Sequence, residues 1–154
     1  MSYCKDAQRL IAEAKPTDSF DEVNFHRVVQ ELKVLEEKFE AAVNALGLPL
    51  ETLRQEYMRE PRSLDEQDRQ TLLRILCLES AIKRNRKCAL AYIHSRSDMV
   101  RGLWWTHGRR LPEVRAEKLN EEEKLLFNTH SEALEAAQRE LSNWLGMDLD
   151  LRTV

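Results

Sequence analysis

Glycine and proline are scarce in this chain, four of each in 154 residues, and that scarcity argues against a turn-rich sheet protein. No run of alternating β-branched and polar residues occurs, so strands have no support. No stretch approaches the ~18 uninterrupted apolar residues of a membrane span, and the opening MSYCKDAQRL lacks the apolar core of a secretory signal. The three cysteines, Cys4, Cys77 and Cys88, are odd in number and far apart. They read as reduced thiols of cytosol or nucleus, not as a disulfide framework.

Catalytic signatures are equally thin. Glycines at 47, 102, 108 and 146 cannot make a phosphate-cradling loop. His26, His94, His107 and His130 are scattered, with no C-x-x-C or H-x-x-x-H spacing to hold a metal. Cys88 lies beside Arg86 and Lys87, cations able to lower a thiol pKa, but no histidine is placed to serve it. A buried structural cysteine is the better reading. With 27 acids in the chain, carboxylate pairs arise by chance. No enzyme activity and no cofactor are expected.

What the chain does have is helical periodicity. Tyr3, Ala7, Leu10, Ile11 and Ala14 share a face, giving a first helix over 3–15 that Pro16 ends. Ser19 and Glu22 have capping-box spacing ahead of a second helix through Phe25, Val28, Val29, Leu32, Leu35, Phe39, Val43 and Leu46. Gly47 suits its left-handed stop. Residues 48–62, between Pro49 and Pro61, read as a connecting excursion with at most a short amphipathic turn through Leu50, Leu53 and Tyr57.

Ser63 and Glu66 repeat the capping-box pattern and open the longest stretch, to His107, roughly 65 Å if unbroken. Along it Leu72, Leu73, Ile75, Leu76, Leu78 and Ile82 point nearly all round the axis, so several sides must be covered. Burial against another subunit is favoured over a central helix in the chain's own bundle. Gly102, mid-helix, costs about 1 kcal/mol against alanine and suggests a close helix–helix approach. After Gly108 and Pro112, Asn120 with Glu121, Glu122 and Glu123 marks a new N-terminus. Its helix runs through Leu126, Phe127, Leu134, Leu141 and Trp144 to Gly146.

Charge is uneven. The net is −3, yet from Lys83 to Arg110 eight Lys or Arg face one Asp. That net of +7 leaves −10 on the rest. The run Lys83-Arg84-Asn85-Arg86-Lys87 admits a solvated face, pairing with acids in a helical interface, or phosphate contact. Interface pairing is preferred, because no aromatic stacking platform or groove-entering motif accompanies the cations. Trp104 and Trp105 cannot share a face, so one packs internally and the other is a candidate interface anchor.

The run Arg84-Asn85-Arg86-Lys87-Cys88, with Ala91-Tyr92, Arg96, Val100-Arg101, Leu103, Trp105, Gly108, Leu111-Pro112, Glu122-Glu123 and Phe127-Asn128, resembles the GINS family, and within it the first subunit. The spacing is matched without a gap, and Phe20-Asp21-Glu22 is similar too. The resemblance implies a nuclear, non-enzymatic subunit of a heterotetramer. Its partners would be three other GINS subunits and, within the eukaryotic replicative helicase, the MCM motor ring, cell division control protein 45 and polymerase epsilon. Membrane has no part, and direct DNA contact is disfavoured. In the family a small β-rich domain follows the helical one. Three departures stand out: the chain stops at Val154, the 47–62 stretch is long, and Trp104 and His130 stand where a basic and an aromatic residue are common.

The expected fold is therefore all-α, a long-helix bundle of about four to five helices packing against partner subunits. Residues 1–146 form the helical domain, and 147–154 begin a linker to a β-rich domain absent from this sequence. Candidate interface or packing residues are Leu72, Ile75, Leu76, Arg84, Arg86, Lys87, Tyr92, Arg96, Arg101 and Trp105, with Trp105 rather than Trp104 as the packing anchor. The alternative is an unrelated helical nucleic-acid-binding module using residues 83–110.

Overall fold

The computed structural model describes residues 4–15, 17–60 and 64–152. Among them every regular element is a helix: α1 (Lys5–Glu13), α2 (Glu22–Asn44), α3 (Leu50–Arg59), α4 (Glu66–His107), α5 (Glu113–Ala116) and α6 (Glu121–Leu145). The chain divides into two compact units. One comprises the residues up to Glu13 with Glu22–Leu90; the other comprises Ala14–Asp21 with the residues from Ala91 on. Helix α4 contributes to both.

In the first unit α1 packs on α2. The core joins Leu35 and Ala42 of α2 to Ile75, Leu78, Ala81 and Ile82 of α4, with Cys4 beside them. Leu32, Phe39, Val43 and Leu46 flank it. On α2 Leu32, Leu35, Phe39 and Ala42 recur at three- and four-residue steps, the period of one helical face. Cys4 ties the N-terminal segment down. Its backbone N–H donates to Glu31 Oε1 at 2.7 Å, and its thiol lies 3.6 Å from the Ala81 carbonyl.

Residues 48–62 depart from the expected excursion, because they contain α3, a ten-residue helix. Pro49 is its N-cap at φ −56°, where a proline removes no intrahelical hydrogen bond. Leu53 is wholly buried, and Arg54 pairs with Glu79 of α4. Pro112 opens the short α5 in the same way. With α3, it brings the helices among the described residues to six, against the four or five expected.

The Ser19–Glu22 box is out of register. Helix α2 begins at Glu22, so that glutamate is the first helical residue and not the third. Tyr3, Pro16 and Ser63, which the sequence assigned to helix ends, lie outside the described residues.

The second unit has its own core of Val100, Leu103, Trp104, Leu119 and Phe127. Gly108 ends α4 at φ 66°, its N–H donating to the Trp104 carbonyl at 2.8 Å. Gly146 ends α6 at the same φ. Both are left-handed positions that favour glycine. Beyond Gly146 the backbone folds back: Leu149 N–H donates to Ser142 Oγ at 3.1 Å, and Leu151 packs on the second core.

Candidate interaction surface

In the second unit the Arg96 guanidinium is buried, the residue 2% exposed. Its Nε donates to Glu123 Oε1 and its Nη2 to Glu123 Oε2, each at 2.8 Å. That is the two-pronged pairing for which a guanidinium is shaped. Nη1 donates to the Asp18 carbonyl, and Nη2 also reaches the Lys118 carbonyl at 3.4 Å. Glu123 has a second task. It receives the Asn120 N–H at 3.1 Å while Asn120 Oδ1 accepts the Glu123 N–H at 2.8 Å, a reciprocal capping box. The acid that starts α6 is therefore the acid that neutralises α4's buried cation.

One turn earlier on α4, Tyr92 is also buried. Its hydroxyl accepts the Asp21 N–H at 2.7 Å, and Phe20 lies against its ring at 5.3 Å between centroids. Burial pushes the phenol's pKa above its ordinary value, overriding the opposing effects of the Asp21 hydrogen bond and the Arg96 charge. Tyr92 and Arg96 thus work inside the chain, holding the Ala14–Asp21 segment against α4.

The tryptophans reverse the sequence expectation. Trp104 is 2% exposed and belongs to the core, whereas Trp105 is 50% exposed. The rings meet edge to face at 4.9 Å. Adjacent residues on a helix lie 100° apart, so only one could enter the core. Trp105 is consequently not the chain's packing anchor. At Gly102 a Cβ would meet nothing within 4 Å, so among the described residues no other helix of this chain makes the close approach expected there.

The remaining candidates divide in the same way. Leu72 and Ile75 are wholly buried in the first unit; Leu76 is half-buried. Arg101 is exposed with Asp98 3.7 Å away. Arg86, expected at an interface, reaches Glu36 of α2 at 2.6 Å within its own unit. Lys83 contacts Glu79 at 2.7 Å, and that hydrogen bond, helped by Arg54, pulls the Glu79 carboxyl's pKa down despite its burial. Arg84 and Lys87 are exposed and border an open groove on α4 with Leu76, Ser80, Lys83 and Cys88. Cys88 is half-buried, not the buried structural thiol expected.

Sequence reasoning missed the Arg96–Glu123 pair, whose signal was an acid at the third helical position after Asn120. It also missed Asn85, which is wholly buried and whose amide has no hydrogen-bond partner. Among the described residues no three His, Cys, Asp or Glu converge as a metal site, and no helix is long and apolar enough to cross a membrane. What the surface offers is apolar and basic side chains on long helices. Such a surface can bind a partner.

The family model described as the GINS complex protein helical bundle domain (Sld5) matches residues 50–142. The DNA replication complex GINS protein PSF1 of Xenopus laevis is 27% identical over 152 residues, covering 96% of this chain and 69% of the relative. The proteins of that name from Mus musculus and Homo sapiens are each 26% identical with the same coverage.

Proposed function

The chain belongs to the GINS complex helical-bundle family, and from that premise we infer that it serves as the first subunit of a GINS complex in DNA replication. It acts as a non-enzymatic scaffold in the nucleus. Three other GINS subunits are its direct partners. Through the assembled complex it engages the MCM motor ring, cell division control protein 45 and polymerase epsilon. Residues 1–146 are the assembly domain, and any contact with DNA is indirect.

One observation carries the reading. The matched segment contains all of α4, and that helix, having filled two cores, still presents Leu73, Leu90 and Trp105 at 42%, 67% and 50% exposure. Isolated exposed apolar residues are ordinary. Trp105, a large ring left half in water inside the matched segment, is the kind of side chain that a neighbouring subunit covers.

Co-expression of this chain with three GINS partner subunits tests the proposal. A stable 1:1:1:1 complex by size-exclusion chromatography and native mass spectrometry is expected. Sedimentation of the chain as a partner-indifferent monomer that never enters the complex would refute it.

A further inference from the structure

The groove on α4 is lined by Leu76, Ser80, Lys83, Arg84, Lys87 and Cys88. Numbered along the helix, these residues fall at steps of 4, 3, 1, 3 and 1, so they form one stripe about three turns long. The floor is mixed: the half-buried Leu76 and Cys88 supply apolar and thiol surface. The rim is of one sign. Three cations stand along it and no acid lines it, although the chain as a whole is net negative. Lys83 has Glu79. Among the described residues neither Arg84 nor Lys87 forms an ion pair, while neighbouring Arg86 reaches Glu36.

We propose that this stripe is a docking groove for an acidic amphipathic helix of another GINS subunit, which lays an apolar side chain over Leu76 and Cys88 and carboxylates against Arg84 and Lys87. The inference rests on the subunit role proposed above and assigns that role a surface. Charge complementarity selects the occupant. Two cations three residues apart match carboxylates placed at i and i+3 or i+4 on a facing helix. The apolar floor separates this groove from a phosphate-tracking surface, which would pair cations with aromatic stacking platforms; the groove has none. A second copy of this chain in a symmetric, groove-to-groove contact is a weaker fit, since it would bring the same cations together.

Zero-length carbodiimide coupling of the complete four-subunit complex tests the groove, because it joins a lysine amine only to a carboxylate in direct contact. Lys83 or Lys87 should couple to an Asp or Glu of one other subunit. In parallel, Arg84→Glu with Lys87→Glu should weaken entry into the complex by roughly 100-fold or more. The variant's own circular dichroism and melting should stay unchanged, as both side chains are exposed. Arg84→Lys should retain assembly. Three outcomes overturn the proposal: coupling only to a second copy of this chain, normal assembly by the double variant, or intact assembly with lost DNA binding. Should the unaltered chain itself fail to assemble, the subunit role falls instead, and the two failures are thereby told apart.

Discussion

Arg96 and Glu123 show how a residue that reads as surface chemistry can be wholly internal. A guanidinium at 2% exposure survives burial only because a carboxylate and backbone carbonyls take its N–H groups. Removing one partner strands the other charge. Arg96→Met should therefore cost about 3–5 kcal/mol in urea unfolding, and pairing it with Glu123→Gln, which removes the stranded charge but can still accept the Asn120 N–H, should recover part of that loss; a double variant no better than the single would mean that the stranded charge does not set the cost. The tryptophans give a second contrast. Trp104→Ala should cost about 3–5 kcal/mol by opening the second core, and Trp105→Ala should stay within ~0.5 kcal/mol in the isolated chain. Equal losses in a thermal melt would contradict the burial difference. The sequence could show that the two rings diverge, but not which one turns inward. That choice depends on where Leu119 and Phe127 lie, contacts distant along the chain.

The end of α4 and both ends of α6 were legible, because their chemistry is local, whereas α2 starts at Glu22 and stops at Asn44, and Gly47 does not take the left-handed φ expected of it. Asn120, the three acids after it and Gly146 bound α6 as their types require, and His107 with Gly108 ends α4. Asn120→Ala should accordingly cost about 1 kcal/mol, more if Arg96 loses its aligned partner as Glu123 is freed. Helix α3 was illegible for a related reason. Pro49 and Pro61 bracket a stretch that reads as an excursion, yet proline breaks a helix only from inside it, and the stabilising contacts of α3 come from burial of Leu53 and the Arg54–Glu79 pair, neither visible locally. Tyr92 offers a pH test of how α4 holds the Ala14–Asp21 segment. Its folded pKa lies above the ordinary value near 10, so the native state keeps a proton that the unfolded chain gives up. The associated stability is complete below about pH 10 and falls as pH rises toward the raised value. Alkaline unfolding should therefore be steeper in the native protein than in Tyr92→Phe; identical slopes would show that the phenol's burial does not control that limb.

Over the whole molecule, buried and exposed apolar surface are distributed in a way that a self-contained domain does not require. Both cores are filled, yet the last turns of α6 present Leu141, Trp144 and Leu145, with Met147 just beyond, and Trp144 is 82% exposed. Tryptophan is the costliest side chain to leave in water and the one most often central to a protein contact. These four residues lie within seven positions, close enough to act as one patch, and apolar patches of a few hundred Å² drive association when no partner covers them. The isolated chain should therefore self-associate, its sedimentation coefficient rising with concentration. Co-assembly with GINS partner subunits should abolish that rise. Trp144→Ser separates the causes. If the patch is responsible, the variant should sediment closer to a monomer while its melting temperature holds, because Trp144 belongs to neither core. It should also enter the four-subunit complex more weakly if partners use the same patch. A native chain that stays monomeric across the concentration range, or a Trp144→Ser variant that associates as strongly as before, would remove this end of α6 from the account of assembly and leave α4 to carry it.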